Sequence, residues 1–118
     1  MPATVTNADL RLTQSPTLAD FQEYVRKIKI ARDFKNDKMR ALILLSKEVG
    51  ELAQATRKTW ANPDHVPLED QREIAMELAD VFIYLLDTAN QYQIDLELAF
   101  REKEEINKQR VWPKYYHE

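Results

Sequence analysis

An all-α domain, four helices packed in a bundle-like arrangement, is the fold class that three observations predict. The chain holds one glycine in 118 residues and no Asn-Gly or Asp-Gly pair, so the hairpin turns and bulges of a sheet have no supply. Apolar side chains recur at helical rather than alternating spacing over long stretches. Cap residues and one Pro-rich loop punctuate those stretches at helix-like intervals.

Residues 1–14 are aperiodic and read as a flexible N-terminal arm, leaving 15–118 as the domain. The first helix starts at Ser15-Pro16-Thr17, which offers an N-cap and a first-turn Pro, with Asp20 suiting the positive helix end. Phe21, Val25 and Ile28 form its apolar stripe. Periodicity breaks around Asp33–Asp37, and the second helix is expected from about Asp37 to Thr59. Its lone Gly50 costs about 1 kcal/mol relative to Ala, which predicts a close backbone neighbour there. Asn62–Pro67 reads as a loop, the third helix as about Leu68 to Gln91, and the fourth as capped by Asp95 and ended before Pro113. The closing Val111–Tyr116 is aromatic enough to be expected to pack on the bundle or on a neighbouring subunit.

Two of these helices carry paired acids three residues apart: Glu48 and Glu51 on the second, Glu77 and Asp80 on the third. Residues three apart share a helix face. On the second helix that face also holds Ala41, Leu44, Leu52 and Ala55, so the acids lie on the apolar arc. On the third, Glu73, Glu77, Asp80, Val81 and Tyr84 share a face, while Met76, Ala79, Phe82, Ile83 and Leu86 cover the rest. Glu73 reads as an exposed first-turn acid that suits the helix dipole. A helix apolar nearly all round asks to be buried all round. Helix 3 is therefore expected to be central and at an interface of a homo-oligomer, a dimer or a tetramer.

Anions in an apolar setting need cations. Carboxylates are hard ligands suited to Mg²⁺ or Mn²⁺. A di-iron bundle would need Glu-x-x-His on two helices, and the only histidines are His65 in the loop and His117 at the end. The fourth helix supplies the complement. Leu96, Phe100, Lys103, Asn107 and Arg110 share a face that turns cationic toward its end, and Lys103, Asn107 and Arg110 suit phosphate oxygens. Carboxylates for a metal with cations for phosphates match a metal–nucleotide substrate. Phe34, Trp60 and Tyr84 are candidate contacts for its base.

Composition narrows the classes further. Seventeen basic against 20 acidic residues give a net charge of -3 and no general attraction for a nucleic acid polymer or a membrane surface. The absence of cysteine excludes disulfides, zinc–thiolate sites and thiol nucleophiles. No leader pattern or spanning-length apolar run is visible, so a cytoplasmic location is expected.

The stretches KEVGELAQA, MELADVFIYLL, DLELAF and KEEINKQRVWP, over about Asp33 to Pro113, resemble the MazG-like all-α nucleotide pyrophosphohydrolases, most closely their dCTP pyrophosphatase branch. The resemblance implies hydrolysis of a (deoxy)nucleoside triphosphate to monophosphate and pyrophosphate, in house-cleaning of the nucleotide pool. Glu48, Glu51, Glu77 and Asp80 would bind Mg²⁺, with Glu48 or Glu51 as catalytic base. Lys103, Asn107 and Arg110 would meet phosphates. Two positions depart from the pattern: Lys47 replaces a further Glu, and Arg57 stands where the dCTP branch has a base-pocket Trp, with Trp60 a turn later. The alternatives are dUTP or a phosphoribosyl-nucleotide as substrate, or a non-catalytic helical oligomerisation module.

Overall fold

The computed structural model describes residues 4–116, and His117 lies outside them. Four α-helices follow in order: α1 (Leu18–Ala31), α2 (Lys38–Arg57), α3 (Leu68–Gln91) and α4 (Leu96–Lys108). No strand occurs among the described residues, as the glycine-poor sequence predicts.

Each start has a local cause. Thr17 caps α1 by accepting from Asp20 N–H at 3.1 Å while Asp20 accepts from Thr17 N–H at 2.9 Å, a reciprocal box. Pro16 thus precedes the cap rather than occupying the first turn. The Asp37 side chain accepts from the amides of Met39 and Arg40 at α2, and Asp95 accepts from Leu98 N–H at α4. On α3 the first-turn acids are Glu69 and Asp70. Glu73 lies a turn further on and pairs with Lys58 at 2.8 Å, tying the end of α2 to α3.

The ends of α1 and α3 match each other. Asp33 (φ 54°) and Gln93 (φ 55°) are left-handed. Phe34 N–H donates to Lys29 O and Asp33 N–H to Ile30 O; Ile94 N–H donates to Ala89 O and Gln93 N–H to Asn90 O. Both are Schellman closures, built here without glycine. The first turns the chain back so that Phe34 lies over the last turn of α1.

The antiparallel pair α2–α3 is the main packing unit; α1 lies against α3, and α4 leans chiefly on α1. Gln22 fastens the last of these, donating to Ile94 O at 2.8 Å and accepting from Leu96 N–H at 3.1 Å. Val25 and Ile28, Ala41 and Ala55, and Leu86 and Ala89 are the buried apolar residues. Ala41, Glu48 and Ala55, seven apart, form the buried line of α2, the face read from periodicity.

Helix 3 is central, yet it is not covered all round within one chain: Met76, Leu78 and Leu85 are exposed. The radius of gyration is 17.6 Å, where a compact domain of this length would have about 13.5 Å. The C-terminal aromatics pack on one another. Trp112 meets Tyr116 edge-on at 5.3 Å, and both tyrosines are exposed.

Gly50 corrects one expectation. A Cβ built there meets nothing within 4 Å, so no backbone of this chain approaches it. Gly50→Ala is expected to stabilise the fold by about 1 kcal/mol, a rise in Tm of roughly 3–6 °C. A fall in Tm with a change in oligomeric mass would show instead that a second copy packs there.

Candidate metal centre

Helices α2 and α3 bring three of the four predicted carboxylates together. One ligand oxygen from each of Glu48, Glu51 and Glu77 lies within 4.8 Å of the others. Glu48 is buried at 7% exposure, because its place between Ala41 and Ala55 turns it toward α3. Glu51 and Glu77 are half-buried. Asp80, one turn beyond Glu77, is outside the group of three, but its charge acts on both Glu48 and Glu77.

Burial, then the charge of Glu51, raise the Glu48 carboxyl above its ordinary range; a hydrogen bond with Glu51 and the charge of Asp80 add to this, and Lys47 opposes it. Glu77 is raised by the same leading causes, burial first and Glu51 second. Lys47 Nζ stands 3.7 Å from Glu51 Oε1 and is too exposed to neutralise the group. Glu48 Oε2 and Glu77 Oε2 are buried without a hydrogen-bond partner. Crowded hard oxygens with two unsatisfied atoms fit a divalent cation such as Mg²⁺ or Mn²⁺.

This has a measurable consequence. The raised carboxyls favour the metal-free fold below the unfolded value near 4.5, and that contribution is lost as pH climbs through the raised folded values. A cation competes with those protons. Mg²⁺ at a hundredfold excess over Kd is expected to add about 2.7 kcal/mol at pH 7.5, read as several degrees of Tm, and markedly less at pH 5. A Tm shift equal at both pH values would contradict it.

Asp80 also lines a cavity of about 300 Å³. Ile83, Tyr84, Leu44, Val25 and Phe34 form its apolar walls, and Lys29, Arg32, Lys35 and Arg40 are its cations. Two of the three candidate base contacts, Phe34 and Tyr84, therefore meet at one cavity. Trp60 does not; it is 73% exposed beyond the end of α2.

The α4 cations are not brought to the acids. Among the ion pairs of the described residues none joins an α4 cation to these acids, and α4 leans chiefly on α1. Lys103 is exposed, Arg110 lies over the Trp112 ring at 4.5 Å, and Asn107 has a buried Oδ1 without a partner. What sequence reasoning missed is the basic supply from α1 and α2. Arg26, Lys27, Lys29, Arg32, Lys35, Lys38 and Arg40 put seven cations into fifteen residues, a signal visible in the composition of that stretch.

Residues 34–111 match the MazG nucleotide pyrophosphohydrolase domain. The chain belongs to this family. It is also similar to dCTP pyrophosphatase 1 of Mus musculus, 31% identical over 105 residues, which is 85% of this chain and 62% of that protein. Against dCTP pyrophosphatase 1 of Homo sapiens it is 34% identical over 100 residues, 80% of this chain and 59% of that protein. The chain thus spans about three fifths of the length of the curated relatives it matches. The family match covers the three clustered acids, Asp80 and the cavity residues from Phe34 onward, whereas Val25, Ile28, Lys29 and Arg32 precede it.

Proposed function

We propose that the chain is a divalent-metal-dependent nucleotide pyrophosphohydrolase that converts a deoxynucleoside triphosphate, dCTP-like in the first instance, to monophosphate and pyrophosphate. The observation that carries this reading is the meeting of Glu48, Glu51 and Glu77, two of them with orphaned oxygens, beside a cavity that Asp80 shares with four cations. The family and the printed names of the relatives agree with it.

Glu48, Glu51, Glu77 and Asp80 would hold Mg²⁺, which when bound supplies Lewis acidity at the α phosphate. One of the α2 carboxylates, Glu48 or Glu51, takes the proton of the attacking water. The water oxygen bonds to the α phosphorus, the bond from that phosphorus to the α–β bridging oxygen breaks, and pyrophosphate leaves with the bridging oxygen. Arg32, Lys35 and Arg40 on the cavity wall are cations suited to the leaving phosphates. Lys103, Asn107 and Arg110 keep the phosphate role that the resemblance implies only where assembly carries α4 toward the acids.

Exposed Leu42, Ile43 and Val49 on α2, with Met76, Leu78 and Leu85 on α3, support a homo-oligomer built on these two helices. The deciding experiment incubates the protein with a panel of dNTPs, dUTP included, and Mg²⁺, and identifies the products. Pyrophosphate with monophosphate, and a mass of two or four chains by light scattering, are expected. Single phosphate release, or no turnover of any substrate, would overturn the assignment and leave a helical assembly module.

A further inference from the structure

We propose that Lys29 and Asp87 form the base-reading end of the cavity, a specificity-determining pair that receives the edge of the nucleobase two helical turns from the metal carboxylates. The inference rests on the reading above that this cavity takes the nucleoside.

The pair is buried and fixed. Lys29 Nζ lies 3.2 Å from both Asp87 oxygens, and the side chains are 12% and 6% exposed. Gln91 Nε2 donates to Asp87 Oδ1 at 3.3 Å and to Asn36 Oδ1 at 3.1 Å, which holds the carboxylate plane from behind. Among the described residues only Glu48 and Asp87 are buried charged groups. Glu48 belongs to the metal centre. Asp87 has no part in it, yet a buried ion pair seldom repays its desolvation in stability.

Its position suggests what it does instead. Asp80, Ile83, Tyr84 and Asp87 line the cavity from one stripe of α3. Seven residues separate the two acids, about 10 Å along the helix axis. That is the scale of the span from an α phosphate to the far edge of a base. Phe34 and Tyr84 stand between, as aromatic walls that suit a flat ring.

The hydrogen-bond inventory then defines what is read. An ammonium has three protons, and Lys29 donates one to Asp87 Oδ2, with Oδ1 at ion-pair distance. Asp87 Oδ1 accepts from Gln91 and Oδ2 accepts from Lys29. Unused donors of Lys29 and a free lone pair on each Asp87 oxygen remain side by side at the cavity wall. Their complement is a base edge with an acceptor beside an N–H, and carboxylate to the cytosine amino group is one of the recurring pairings of this kind.

The alternative role is a plain clamp between α1 and α3, and one experiment separates the two. The Kd values of the four deoxynucleoside 5′-monophosphates are measured by calorimetry, with Mg²⁺, for the wild type and for the double variant K29Q/D87N. That variant removes both charges while keeping amide partners for each other. Where it fails to fold, K29M/D87L replaces the pair with apolar side chains of similar size. The wild type is expected to favour one base at least tenfold. The variant is expected to lose that preferred base tenfold or more while binding the weakest base within threefold of wild type. An equal shift for all four bases, no shift, or a wild type without base preference would overturn the proposal. Nucleotide binding with an intact base preference but no pyrophosphate release would remove the hydrolytic reading and leave the pair's role standing.

Discussion

Glu48→Gln is expected to lower pyrophosphate release by a factor of about 10³ or more, because the Lewis acid it helps to hold is worth several kcal/mol of barrier. The metal-free protein should nevertheless be at least as stable as the wild type. Glu48 is buried with Glu51 and Asp80 both acting against its charge, and one of its oxygens has no partner. An amide of the same shape removes one like charge and brings a donor to Glu51. The two effects separate a metal ligand from a structural ion, since a structural acid would lose stability on neutralisation. Turnover at saturating Mg²⁺ and Tm in EDTA measure them. Activity within tenfold of wild type would remove Glu48 from the catalytic group. A metal-free Tm lowered by more than about 5 °C would make it a structural anion, that shift being of the order of 1 kcal/mol.

Leu86→Ala is expected to cost about 2–5 kcal/mol of a total that for a domain of this kind is about 5–15 kcal/mol. Leu86, 1% exposed, is the one large side chain among the described residues that is wholly enclosed. Its neighbour Leu85, about 100° further round α3, is 42% exposed. Leu85→Ala should therefore leave unfolding of the dissociated chain within about 0.5 kcal/mol, while weakening any assembly that uses this face. Urea unfolding of both variants, with sedimentation at several concentrations, checks the contrast. Equal losses for the two would mean that α3 is enclosed on both sides in the folding unit itself.

The helices were legible because their signals are local. The Asp95 cap and the start near Asp37 were read from chemistry confined to one turn, whereas the first helix, read from Ser15 with Pro16 in its first turn, begins after the cap Thr17. The apolar arc of α2 was legible for the same reason, since a period of 3.6 fixes which side chains share a face. Periodicity does not say which helix covers a face. The cations of α4 therefore looked like partners for the acids, although within one chain α4 leans on α1. Gly50 misled similarly, because a glycine can be tolerated as well as required. Asp87 was available to the same logic that found Glu48: it is an acid inside an apolar run, seven residues after Asp80. Its partner Lys29 lies 58 positions away, and no local pattern joins the two.

Enclosure along α3 is uneven. Its buried residues, Leu86, Asp87 and Ala89, all fall in the last six positions, whereas the turns bearing Glu77 and Asp80 hold none. Local opening is cheapest where few apolar contacts must part. In the metal-free chain, deuterium should enter the backbone amides of the first half of α3 well before those near Leu86. A cation gripped from both α2 and α3 would act as a rivet across that loosely held stretch, so ion loading should slow exchange there most and make rigidity of the reaction centre something the ligand itself confers.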